Sequence, residues 1–270
     1  MPQIRPAAVA GSFYPGDAAA LAAEVAAFLA QAAPASGSAR ARAPKAIIAP
    51  HAGFMYSGAI AASVYARLAP LRGIVRRVVL AGPAHRVYVE GAAIPSTHAF
   101  ASPLGAVALD TDALAALGAL PFVVVSDRAH ALEHSLEVHL PFLQSVLGDF
   151  ALVPVVVGDA TPSEMERLLD MVWGGGETLI VVSSDLSHYL PYDSARGRDG
   201  DTARAILSLD ATLVPEEACG AGPVNGLLKA ARARGLVPEM VDLRNSGDTA
   251  GSRDRVVGYG AFAFTEAERA

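Results

Sequence analysis

The sequence predicts an α/β protein: one central sheet, mostly parallel or mixed, with helices on both faces. Three observations carry that prediction. Strand-like and helix-like segments alternate from one end to the other. The inner strand candidates are continuous apolar runs, the pattern of strands buried on both sides. Three of those runs, KAIIAPH at 45–51, RVVLAGPAH at 77–85 and TLIVVSSDLSH at 178–188, lead into a histidine. In such proteins ligands gather in the crevice outside the carboxyl ends of the strands.

Taken in order, Asp17 caps an alanine-rich helix reaching about residue 32, with Leu21, Val25, Phe28 and Leu29 on one face. Residues 31–44 form a Pro/Ser/Ala/Arg connector. A buried strand at 46–49 is followed by a His-Ala-Gly turn and a helix near 59–68, and 77–81 is the next strand. Thr111 opens a short helix, and 122–126 is a strand. The segment 132–147 has helical periodicity but carries Pro141, which predicts a kink or two pieces. After a strand at 151–157, Thr161-Pro162-Ser163-Glu164 supplies a capping box with proline at the first helical position. A strand at 179–183, helices at 201–209 and 223–234 (the latter stopped by Gly235), and strands at 239–243 and 256–264 complete the chain. No repeat or linker divides residues 1–270, so a single domain is expected over the whole chain.

Composition narrows the function classes. A hydrophobic content of 52% excludes a disordered chain, and a formal net charge of -6 excludes the basic footprint of a nucleic-acid binder. The small groups of Lys and Arg read as solvated element ends. A lone cysteine, Cys219, rules out an internal disulfide framework. The opening residues are broken by Pro and Gly, unlike a secretory leader, and no apolar run approaches the about 20 residues that span a bilayer. The expectation is a soluble cytoplasmic protein without membrane or nucleic-acid partners.

The strand-end histidines are the leading site candidates. His51 and His85 each follow a strand through a turn built with Pro and Gly, and a helix starting just beyond His51 would aim its N–H groups at the same space. His188 lies three residues after Asp185, a spacing that puts carboxylate and imidazole on one side of the backbone. That pair suits either an oriented acid/base or two further metal ligands. The segment EHSLEVHLP at 133–141 is dense in ligand-type side chains, but its histidines are five apart, which excludes the HExxH zinc-protease pattern. Glu133 and Glu137 are expected on one helix face, His134 is directed at the cleft, and Tyr56, Glu133 and His134 are further pocket candidates. His98 and His130 read as surface residues. Cys219 precedes glycines and a helix start, where the helix dipole favours a thiolate.

The ordered motifs IIAPHAG, GPAH, EHSLEVHLPFLQ, PVVVG, VVSSDLSH and CGAGP, with AGSFYPG near the start and NSGDTAGSRDRVVGYGAFAF near the end, resemble the Memo family. Its bacterial and archaeal members are known as AmmeMemoRadiSam system protein B. The resemblance covers essentially the whole chain. It implies a fold similar to class III extradiol dioxygenases, which hold non-haem Fe(II), and a metal pocket at the strand ends. It further implies His51, His85 and Cys219 as metal ligands, with Asp185 and His188 in the pocket and His188 at the acid/base position. A thiol stands where the dioxygenases carry a carboxylate ligand, so ring cleavage does not carry over. Thiolate shifts preference towards softer ions such as Cu(I) or Zn(II). The implied function is a metal-dependent redox or oxygenase-like protein holding Fe(II) or copper. Alternatives are a zinc hydrolase, or a non-catalytic module that binds an anionic ligand or a partner such as the radical-SAM protein of the AmmeMemoRadiSam set.

Overall fold

Apolar runs with no polar face must be covered on both sides, and the structure places them at the centre of the sheet. The computed structural model describes residues 3–32 and 42–267, so most of the connector expected at 31–44 lies outside the described residues. In chain order the elements are β1 (Ile4–Arg5), α1 (Ala18–Ala32), β2 (Ala46–Ala49), α2 (Phe54–Tyr65), β3 (Arg77–Pro83), β4 (Ala92–Ile94), β5 (Ala99–Ser102) and β6 (Gly105–Ala108). There follow α3 (Thr111–Leu117), β7 (Val123–Val125), α4 (Asp127–Ala131), α5 (Leu140–Leu147), β8 (Ala151–Val157), α6 (Pro162–Val172) and β9 (Thr178–Ser183). The chain ends with β10 (His188–Leu190), α7 (Tyr192–Leu207), α8 (Ala221–Ala233), β11 (Leu236–Asn245) and β12 (Val256–Glu266).

The main sheet has nine strands in the order β10-β12-β2-β9-β3-β8-β4-β7, with β11 also paired to β12. Its centre, β2-β9-β3-β8, is parallel throughout. The β12 strand runs antiparallel to β2, β10 and β11, so the sheet is mixed. In β2 and β9 every residue is buried. One set of helices (α1, α2 and α5) packs together, with α2 against β2, β11 and β12. A second layer places α8 against β3 and β9, with α6 on α8. A separate small sheet joins β1, β5 and β6. No helix among the described residues is long and apolar enough to cross a membrane.

Local signals explain the element starts. Asp17 Oδ1 accepts from Ala20 N at 2.9 Å, capping α1. The capping box of α6 forms as read, with Thr161 and Glu164 each bonding the other's backbone N–H. Three elements depart from expectation. Helix α2 starts at Phe54 rather than near 59, because Gly53 serves as its N-cap. Gly58, inside this helix, makes room for α1: a Cβ there would sit 2.7 Å from the Phe28 ring. Helix α7 begins at Tyr192, well before 201, although its polar, glycine-containing first half has low helix propensity. Packing overrides propensity there: Ala195 and Asp199 are buried, and Asp199 Oδ1 accepts from Ser187 N at 3.0 Å. Residues 132–136 are not helical at all, since the regular helix starts only at Leu140, with Pro141 in its first turn.

Candidate metal centre

Because β2, β9 and β3 are parallel neighbours, their carboxyl ends open on one edge. His51 follows β2 by two residues, His85 follows β3 by two, and Asp185 and His188 follow β9. The rings of His51 and His85 meet edge to face with centroids 5.1 Å apart. The third imidazole at this point is His134, 5.5 Å from His51 and stacked 4.7 Å from His85. One ligand-type atom from each of His51, His85 and His134 lies within 4.8 Å of the other two. Two of the three strand-end histidines, His51 and His85, therefore converge; His188 is not in the group, whose third member comes from the non-helical stretch before α5.

Of the remaining site candidates, Asp185 and Cys219 touch His51, and Glu133 touches His85. Asp185 Oδ1 accepts from His51 N at 2.8 Å, and its other oxygen lies 4.0 Å from His51 Nε2. Cys219 Sγ lies 3.3 Å from His51 Nε2 and accepts from Asp185 N at 3.3 Å. It reaches that position because Gly220, the N-cap of α8, lies hard against the end of β9. A Cβ at 220 would fall 2.5 Å from Ser183 O. His188, half-buried at the start of β10, bonds through Nδ1 to Leu186 O at 2.8 Å. A carbonyl only accepts, so Nδ1 carries the hydrogen and Nε2 is left with the lone pair. Tyr56 is half-buried in the first turn of α2, just past the His51 loop.

Electrostatics favour neutral, donor-ready imidazoles at His51 and His134. Burial, and then the neighbouring His85 and His134, hold His51 well below the ordinary histidine range. His134 is also lowered by burial, against the pull of Glu133. Burial alone would push the Glu133 carboxyl up, but hydrogen bonds from the His85 ring, Ser135 N and His85 N outweigh it and hold Glu133 at about 2. Burial raises Asp185 despite its bond from His51 N. Cys219 differs from the sequence expectation: burial, and next the Asp185 carboxylate, push its thiol up, overriding the helix start, so without a cation it keeps its proton.

These residues fit a metal ion. Neutral imidazole is the ligand form of histidine, and His134 Nδ1 is buried with no hydrogen-bond partner, its nearest carboxylate oxygen lying 3.4 Å away on Glu133. The mutually close group is the three histidines, a nitrogen donor set, with the Cys219 sulfur adjoining it at His51.

Two expectations about the EHSLEVH segment are corrected. Glu133 and Glu137 do not share a helix face. Glu133 turns to His85, whereas the fully buried Glu137 binds the N-terminal segment. It accepts from Arg5 Nη1 (2.6 Å), Ala8 N (2.7 Å), Val9 N (2.9 Å) and Tyr14 Oη (2.5 Å). This clip holds Phe13 against His134, with ring centroids 4.9 Å apart. His130 is not a surface residue: it is 2% exposed, and its Nε2 donates to Ala93 O at 3.0 Å. Sequence reasoning also passed over Ser183 and Ser135, whose hydroxyls lie behind the cluster. The only available signal was their place inside VVSSDLSH and EHSLEVH.

Fold and site together define an α/β protein with a three-histidine pocket at the strand carboxyl ends. The family model described as Memo-like protein matches residues 5–263. The chain belongs to the Memo family. Among its relatives, a "MEMO1 family protein" of Sulfolobus acidocaldarius is 34% identical over 97% of this chain and 99% of its own. The Ignicoccus hospitalis protein of the same name is 36% identical over 97% and 98%, and that of Aquifex aeolicus 35% over 82% and 86%. A solved structure of an uncharacterised Escherichia coli K12 protein superposes with a TM-score of 0.51. It shares 16% identity over 81% of this chain and 99% of its own, a likeness of fold alone.

Proposed function

We propose that this pocket binds one metal ion, Fe(II) or copper, and that the chain is a metal-dependent oxidoreductase of oxygenase-like type acting on a small molecule. The observation that carries the reading is the set of three imidazoles with ligand atoms within 4.8 Å of one another, two of which, His51 and His134, burial favours in the uncharged form. His51 and His85 are its constant ligands. The third is either His134, which completes the mutually close group, or Cys219, whose sulfur is 3.3 Å from His51 Nε2. Sulfur ligation favours copper(I) or zinc, and an all-imidazole set suits iron, copper and zinc, so the choice of third ligand and of metal are one question.

When bound, the ion supplies Lewis acidity or an electron couple. The chain's own residues do the rest. His188, whose Nδ1–H is held by Leu186 O, receives or returns a proton at Nε2. Asp185 holds the His51 backbone and, through its own N–H, the Cys219 sulfur. Phe13 forms an apolar wall beside His134 that limits water.

The test is anaerobic purification, elemental analysis and cobalt(II) titration of the wild type and five variants. One equivalent of metal is expected in the wild type, with loss in His51→Ala and His85→Ala and retention in His188→Ala. A sulfur-to-metal charge-transfer band that disappears in Cys219→Ser identifies the thiolate as ligand. Its absence in the wild type, with binding lost in His134→Ala, assigns the three-histidine set instead. Metal loss in His188→Ala makes that residue a ligand and removes its acid/base role. A wild type that takes up no metal at micromolar concentration ends the metal reading in favour of a binding module.

A further inference from the structure

Two hydrogen bonds behind the cluster decide which nitrogen of each ring is free. Ser183 Oγ donates its single hydrogen to Ser135 O at 2.6 Å. Towards His51 Nδ1, also at 2.6 Å, it has only lone pairs left, so Nδ1 must carry the hydrogen. His85 Nδ1 faces Glu133 Oε1 at 2.9 Å. A carboxylate has no hydrogen to give, so His85 is likewise the donor at Nδ1. In water neutral histidine favours the opposite tautomer, with hydrogen on Nε2; the folded chain reverses that preference in both rings.

The two braces share a support. Glu133 and Ser135 belong to one short non-helical segment, tied together by Ser135 N donating to Glu133 Oε1 at 3.0 Å. Ser135 Oγ donates to Pro83 O at the end of β3 (2.9 Å), while its carbonyl receives Ser183 at the end of β9. Glu133 Oε2 in turn accepts from His85 N at 2.6 Å, fixing backbone as well as ring. Of the five side chains involved, Ser183, Ser135, Glu133 and His51 are 2% exposed or less, so water does not compete for the brace behind His51; His85 is the exposed member, held from its buried side by Glu133.

We propose that Ser183 and Glu133 are positioning residues that lock His51 and His85 as Nδ1–H tautomers, so that both Nε2 lone pairs face the pocket as a preformed pair of metal donors. The lock is a property of the metal-free chain; its use for binding rests on the metal reading above. The braces differ in kind, a neutral hydroxyl behind His51 and a carboxylate behind His85, and the carboxylate makes its imidazole the stronger donor.

The tautomers are read directly by long-range proton–nitrogen NMR of metal-free protein labelled at histidine, above neutral pH. The expected pattern is Nδ1–H for His51 and His85 in the wild type. In Ser183→Ala, His51 shifts towards the Nε2–H form while His85 is unchanged, and Ser183→Thr restores the wild-type pattern. Cobalt(II) affinity is expected to fall roughly 10–100-fold in Ser183→Ala and in Glu133→Gln, with Ser183→Thr recovering most of it. An Nε2–H signal from either ring in the wild type overturns the proposal, as does a Ser183→Ala protein with unchanged tautomer and unchanged affinity. Wild-type protein that shows both Nδ1–H signals but binds no cobalt leaves the lock standing and overturns the metal reading alone.

Discussion

Replacing Glu137 by Gln should detach the N-terminal segment from the pocket, and the structure sets the size of the effect. Glu137 Oε2 accepts from Arg5 Nη1 and Ala8 N, and Oε1 from Val9 N and Tyr14 Oη, all in a site with no exposure at Glu137 and 4% at Arg5. An amide has one oxygen, so its NH2 must confront one of those donor pairs. Tyr14 can rotate to accept from it, but a backbone N–H is then left unpaired, and the buried Arg5 guanidinium loses its counter-charge in either orientation. Breaking a buried ion pair from one side costs about 3–5 kcal/mol, and the orphaned N–H lies within that figure. With a urea m value of about 3 kcal/mol per molar, the unfolding midpoint falls by roughly 1–1.7 M. Hydrogen exchange should show the largest loss of protection at residues 5–14, with Phe13 leaving His134. A midpoint shift under about 0.3 M, or exchange unchanged in that segment, would refute the view that one carboxylate anchors this wall.

Two other perturbations follow from the buried groups. Burial holds His130 at about 4 against 6.5 in the unfolded chain, so between those values the unfolded chain binds more protons. The His130 contribution to stability therefore drops as pH falls from 6.5 to 4, by about 3 kcal/mol, and that contribution then levels off. His130→Gln, which still donates to Ala93 O, should flatten that part of a urea-midpoint-versus-pH plot; parallel curves for the two proteins would contradict it. Gly220→Ala puts a methyl 2.5 Å from the Ser183 carbonyl oxygen and 2.8 Å from Ser184 Cβ, neither of which a side-chain rotation can move aside. The loop must withdraw, at a cost of about 1–3 kcal/mol, taking Cys219 from His51. Any sulfur signature of bound metal should vanish while imidazole ligation survives, and an unaltered melting temperature with an unaltered spectrum would show that the close approach is not needed.

The parts of this protein written in the sequence are those settled within a few residues. Strands β2 and β8 fall on the expected residues because their apolar runs are bounded by turn signals. Asp17 and the Thr161–Glu164 box start helices through bonds to backbone three residues away. Placing His51 and His85 together was equally legible, since parallel strands sharing one sheet must open on one edge. Tertiary structure decided the rest. Whether 132–136 is helix depended on Glu133 finding His85 across 48 residues, a partner that periodicity cannot register. His134 became the third imidazole for the same reason, and His130 was buried by contacts with Ala93 and Arg5 from distant parts of the chain. The protonation of Cys219 and the tautomers of the two strand-end histidines depend on burial and on hydroxyl and carboxylate neighbours more than 30 residues away. Local pattern fixes where a side chain leaves the backbone, but its charge state and its free lone pair are set by whatever the fold brings against it.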